Sequence, residues 1–153
     1  MYMPNWTTSV LQMTGIANEK KLFSETDGDV WFDFNKIIPE PSTEEEYLAT
    51  GGNMYRSPED AYLQIDKEKP WFNWYDWHCD HWGTKWNACD TVIDGDDCIR
   101  FDTAWSSPEP IFLALSKMYP DRPIHVLTTY EDDDGEYNTV YLNGEVLTES
   151  YTR

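Results

Sequence analysis

The chain has 153 residues, enough for one domain and too few for two of ordinary size. Against 11 basic side chains it carries 29 acidic ones, a formal net charge of −18 at pH 7. That is about one uncompensated negative charge per 450 Å² of the roughly 8,000 Å² such a fold exposes, so direct binding to nucleic acid or to an anionic membrane is excluded by repulsion. An apolar content of 40% excludes a disordered chain, and no apolar run approaches the ~18 residues of a membrane span.

Residues 7–14 are β-branched and apolar and stop at Gly15, which predicts a first strand. Ile16, Lys20 and Phe23 recur at near-helical spacing and predict a short helix over 17–24. The aromatic, β-favouring stretch 29–34 predicts a second strand running toward Ile37-Ile38 and ended by Pro39 and Pro41. From residue 43 the pattern turns helical. Thr43 with Glu46 matches a capping box, and Ser57-Pro58-Glu59-Asp60 marks a second helix start beyond Gly51-Gly52-Asn53. Trp71, Trp74, Tyr75, His78 and Trp82 then form the stripe of an amphipathic helix closed by Gly83.

Residues 91–93 and 98–105 alternate as strands do, with Ile99, Phe101 and Thr103 on one face. Ser107-Pro108-Glu109 opens a helix through Ile111, Leu115 and Met118, and 124–130 reads as another strand. Residues 139–142 and 145–148 flank Asn143-Gly144, a strong hairpin signal. The expected fold is therefore α+β: a single domain over 1–153 with a ferredoxin-like β-α-β-β-α-β antiparallel sheet. It carries a helical insertion over 43–90, between strands 2 and 3, and a C-terminal hairpin.

Chemistry-bearing motifs are sparse. Three cysteines (Cys79, Cys89, Cys98) cannot pair completely and read as reduced thiols. His78 and His81 have a spacing that suits two metal ligands on a helix, but no Cys-x-x-Cys accompanies them, and no metal is expected. The run Glu131-Asp132-Asp133-Asp134-Gly135-Glu136 has tyrosines, Tyr130 and Tyr141, where a calcium loop needs its first and last oxygen ligands, so it reads as a solvated turn. Asp94-Gly95-Asp96-Asp97 reads the same way. With no phosphate loop, nucleophile elbow or His-Glu-x-x-His, the expectation is a non-enzyme with no catalytic residues and no cofactor. The N-terminus lacks the basic start and apolar stretch of a signal peptide, which points to the cytoplasm.

Met3-Pro4-Asn5-Trp6, Phe34-Asn35-Lys36-Ile37-Ile38-Pro39, Trp82-Gly83-Thr84-Lys85-Trp86-Asn87-Ala88 and Phe101-Asp102-Thr103-Ala104-Trp105-Ser106 resemble the YubB ferredoxin-like family. Its members are small proteins carried largely by phages and plasmids. The resemblance implies a topology and no iron, and it supplies no catalytic residues to carry over. This chain departs from the pattern at His81, where the family tends to have asparagine before the Trp-Gly pair.

Two candidate sites follow. The first is the set of acids at expected turns: Glu44, Glu45 and Glu46, then Asp94, Asp96 and Asp97, then Glu131, Asp132, Asp133, Asp134 and Glu136. Such a surface suits the basic, nucleic-acid-binding face of a host protein complex. An acidic mobile-element protein of this kind is expected to inhibit a defence nuclease as an anti-CRISPR or anti-restriction factor, acting as a nucleic-acid mimic. Folding is expected to need none of these acids. The second is a tryptophan-rich cleft around Lys85 and Trp86 with His78 and His81, which would serve a small-ligand or regulatory module and is favoured if Lys85, His78 and His81 line one concave pocket. A homodimer through the sheet face, an edge strand or the hairpin is a further option.

Overall fold

A computed structural model describes residues 5–52 and 68–153. Its centre is a six-stranded sheet in the order β4-β5-β1-β6-β7-β8, from β1 (Trp6–Gln12), β4 (Cys89–Asp94), β5 (Cys98–Ala104), β6 (Ile124–Tyr130), β7 (Glu136–Leu142) and β8 (Glu145–Thr152). Every neighbouring pair is antiparallel. The first four strands in that order, with helix α2 (Trp74–His81) leading into β4 and α3 (Glu109–Met118) joining β5 to β6, make the ferredoxin-like arrangement. The expected C-terminal hairpin is present and extends this sheet through β7 and β8. Asn143 and Gly144 take φ 48° and 80°, the left-handed pair that a type I′ turn demands.

Two early segments differ from expectation. Residues 17–24 form no α-helix. They make two short 3₁₀ turns, Ile16–Asn18 and Lys20–Leu22, and then enter strand β2 (Phe23–Thr26). β2 pairs with β3 (Asp29–Phe32) in a separate two-stranded sheet. The decisive local signal is Asp27-Gly28, with φ 52° and 87°, a two-residue hairpin turn like that of Asn143-Gly144. The stretch expected as the second strand of the main sheet is thus β3 of this hairpin, and it stops early because Asp33 accepts the backbone N–H of Asn35 and opens a 3₁₀ turn, Phe34–Lys36. Within the main sheet, α2 accordingly lies between the first strand and the second.

Helix α1 (Glu44–Ala49) begins where the capping box puts it, with Thr43 Oγ1 accepting the Glu46 N–H at 3.2 Å. Glu46 reaches back to the Ser42 N–H at 2.8 Å, one residue earlier than the usual partner. The second helix start, at Ser57-Pro58, lies outside the described residues. Helix α2 is capped by Asn73, whose Oδ1 accepts the Asp76 N–H, and it buries Trp77 and His78. Trp77 was not part of the expected stripe, whereas Trp82, just past the helix, is 1% exposed.

One face of the sheet is covered. Phe101 of β5 meets Phe32 of the hairpin at 5.2 Å, Phe34 at 5.8 Å and Phe112 of α3 at 6.3 Å between ring centres. Phe112 also touches Tyr141 of β7. Ile99, Phe101 and Thr103 all point into this core, as the alternation requires. The opposite face bears Val10, Gln12, His125, Leu127, Asn138 and Val140 in a shallow cavity of about 260 Å³. No helix among the described residues is long and apolar enough to cross a membrane.

Candidate functional site

The Trp-Gly-Thr-Lys-Trp-Asn segment joins α2 to β4, and nearly every residue in it has a structural task. Trp82 donates from Nε1 to the Ile38 carbonyl at 2.8 Å. Gly83 takes φ 78° as the helix stop, and its N–H bonds the His78 carbonyl. Thr84 Oγ1 donates to the Ala104 carbonyl at 2.8 Å from a fully buried position. Asn87 is a hub: its Oδ1 accepts from the N–H groups of Phe34 and Ala88, and its Nδ2 donates to Asp33. The segment thereby ties α2, the 3₁₀ turn after β3 and the end of β5 together.

Lys85 is the exception, since its side chain leaves the core. Its ammonium sits 4.7 Å from the ring centres of both Trp86 and Trp105 and 5.8 Å from Tyr75. Aromatic faces attract a cation at such distances, each by about 0.5–1 kcal/mol where exposed. Trp105 holds a backbone φ of 72°, a conformation that costs a bulky residue about 1–2 kcal/mol. Its N–H bonds the Asn5 carbonyl at 2.8 Å, which helps to hold it there.

His78 and His81 do not join Lys85 in one pocket. His78 is stacked on Trp82 at 4.1 Å, with Nδ1 2.7 Å from the Lys85 carbonyl and Nε2 2.8 Å from Glu40. Burial pushes the Glu40 carboxyl up, but the hydrogen bonds from His78 and Asn35 outweigh it and hold the group below the usual carboxylate range. His81 lies flat on Trp77 at 4.5 Å, with Nδ1 against the Trp77 carbonyl. Their nitrogens diverge, and among the described residues no three His, Cys, Asp or Glu side chains could hold a metal ion. Cys79, Cys89 and Cys98 are free thiols.

The acids separate into those that build the fold and those left to solvent. The expectation that folding needs none of them is corrected at four positions. Glu46 closes the capping box, and Asp97 accepts the Gly15 N–H at 2.8 Å. Glu131 accepts the Trp6 N–H at 2.8 Å, while its own N–H bonds the Trp6 carbonyl. Asp133 accepts from the Gly135 N–H at 2.9 Å, the Tyr137 hydroxyl at 2.9 Å and the Tyr151 hydroxyl at 3.3 Å, and these bonds, the Gly135 one foremost, hold its carboxyl below the usual range. Glu44, Glu45, Asp94, Asp96, Asp132, Asp134 and Glu136 remain exposed.

The register places these acids. Gln12 of β1 faces Cys98 and His125, so the Asp94–Asp97 turn lies at the C-terminal end of β1. Thr7 faces Tyr130, so the 131–136 turn lies at its N-terminal end, roughly 20 Å away at the ~3.3 Å rise of a strand. That second end is also where the tryptophans gather. Trp6 lies 6.3 Å from Trp86, and Asn5, Trp6, Thr7, Trp105, Tyr130 and Asp132 line an open cavity of about 270 Å³. The acidic turn and the Lys85 cluster, two separate candidates in the sequence, therefore meet at one end of the sheet through Trp6. Trp6 and Tyr130 carry no local signal of a site, because the partners that make them one are about 100 residues away in the chain, and Tyr75 reads in the sequence only as part of the helical stripe.

Fold and site together define a ferredoxin-like α+β protein with an acidic, aromatic rim. In agreement, residues 81–152 are similar to a family described as the ferredoxin-like domain in Api92-like protein. The match covers just under half of the chain, from the end of α2 through β8, and leaves out β1. No curated protein and no solved structure matches the chain.

Proposed function

We propose that the chain is a protein-docking module that works through the acidic rim, binding a basic surface that its partner otherwise offers to nucleic acid. The observation that carries this is the convergence at the N-terminal end of β1: Asp132 lines a cavity with Trp6, Trp105 and Tyr130, and Asp134 and Glu136 are exposed in the same turn. Among the described residues the ion pairs are His78–Glu40 and Arg122–Glu19, so no carboxylate of the 131–136 turn forms an ion pair there. Unpaired carboxylates steer a basic partner, and half-buried aromatic rings supply the area that retains it once it arrives.

The resemblance to YubB-type proteins of phages and plasmids supports a mobile-element setting. In that setting the partner is a host defence nuclease of the CRISPR or restriction type, because such complexes grip nucleic acid through basic channels. Inhibition by occupying the channel needs no catalytic group and no cofactor.

The test adds the purified chain to a host nuclease complex and its nucleic-acid target in a mobility-shift assay across a salt series. The expected outcome is displacement of the nucleic acid, weakening as salt rises. Binding to the complex without displacement would overturn the proposal.

A further inference from the structure

We infer that the cavity between Trp6, Trp105, Tyr130 and Asp132 is a receptor for one arginine side chain of the basic partner, an assignment that rests on the docking function proposed above. At about 270 Å³ the cavity falls below the ~300 Å³ at which small-molecule clefts begin, and it fits the end of a side chain better than a whole metabolite. Trp6, Trp105 and Tyr130 line it together with Asn5, Thr7 and Asp132, so three aromatic residues and one carboxylate share the space. Asn5 Nδ2 touches one oxygen of Asp132 at 3.5 Å, the residue is exposed, and among the described residues the other oxygen accepts no hydrogen bond.

The ring chemistry is already expressed next door, where Trp105 and Trp86 hold the Lys85 ammonium. An incoming cation meets the like charges of Lys85 and, near Asp133, of Arg153, which the carboxylates of the adjoining turn outnumber. A guanidinium suits the remaining space better than an ammonium. Its flat face stacks on an indole while its forked N–H groups reach a carboxylate at the edge, two contacts that a spherical ammonium cannot make together. The left-handed backbone at Trp105 presents one of these rings at a conformational cost, as expected where an aromatic position serves recognition.

The experiment is calorimetry on the full chain at low salt with an oligo-arginine and an oligo-lysine peptide of equal length, with N-acetyl-arginine amide as a third probe. Wild type is expected to prefer oligo-arginine by about three- to tenfold. Asp132→Asn is expected to abolish the preference, whereas Asp134→Asn, which removes an equal charge outside the cavity, keeps it. Asp132 is exposed and makes a single weak contact, so its variant is expected to melt like wild type. Equal affinities in wild type, or a preference that survives Asp132→Asn, overturn the arginine receptor and leave the docking proposal standing. N-acetyl-arginine amide binding as tightly as the peptide also overturns it, since that outcome describes a small-molecule site. If neither peptide binds, both proposals fail.

Discussion

Asp133 shows how a single carboxylate in a crowded acidic run can be structural while its neighbours are not. It gathers Gly135, Tyr137 and Tyr151 around one side chain, whereas Asp134 and Glu136 point to solvent. Asp133→Asn is therefore expected to lower the melting temperature, and Asp134→Asn and Glu136→Gln to leave it unchanged, as thermal denaturation followed by circular dichroism will show. The pH dependence has a definite sign. The Asp133 and Glu40 carboxyls are both depressed in the fold, so their stabilisation is present above the unfolded carboxylate range near ~4 and is lost as pH falls through the folded values. Glu40→Gln should accordingly flatten the acid limb of the stability profile. The same variant at pH 7 should cost about 1.5 kcal/mol, the low end for a hydrogen bond to a charged group, because the amide keeps one acceptor oxygen for His78 or Asn35 and the site is partly exposed. At this scale the sequence told carboxylates from other residues but not one carboxylate from the next. Hydrogen bonds that close a turn depend on ring positions 4 and 18 residues downstream of Asp133.

The elements were legible where the signal was local. Thr43 with Glu46, Gly83 and Asn143-Gly144 each act at the expected position, because caps and turns are decided within four residues. The helix expected over 17–24 does not form, because the Asp27-Gly28 turn recruits Phe23–Thr26 into a hairpin and three residues at helical spacing do not outweigh it. Two glycines test this. Gly28→Ala, with open space where the methyl group goes, should cost about 1 kcal/mol for its left-handed backbone alone. Gly83→Ala should cost clearly more, because its methyl would also sit 2.8 Å from the Pro110 ring, which cannot swing aside. Chemical denaturation of the two variants gives the comparison.

Across the whole molecule two of the acidic turns sit at opposite ends of one sheet, and only one of those ends adds aromatic rings. Neutralising Asp132, Asp134 and Glu136 together is expected to slow association with a basic partner several-fold at low salt, with little change near 0.5 M salt. Neutralising Asp94 and Asp96 at the far end should have a smaller effect, and surface plasmon resonance separates the two. This division could not be read from the sequence, since it is set by the pairing of β1 with strands far along the chain. That pairing also governs how the molecule forms. Trp6 finds Ala104 and Thr7 finds Tyr130, so the strand in the middle of the sheet is made first and satisfied almost last. A nascent chain must carry this strand unpaired until β5 follows about ninety residues later, and paired on one edge only until β6 does. Closing loops of that length places folding in the slow, milliseconds-to-seconds range of non-local β topologies. Through that interval the strand that later frames the acidic rim is the segment most open to mispairing, and chaperone capture during synthesis should centre on it.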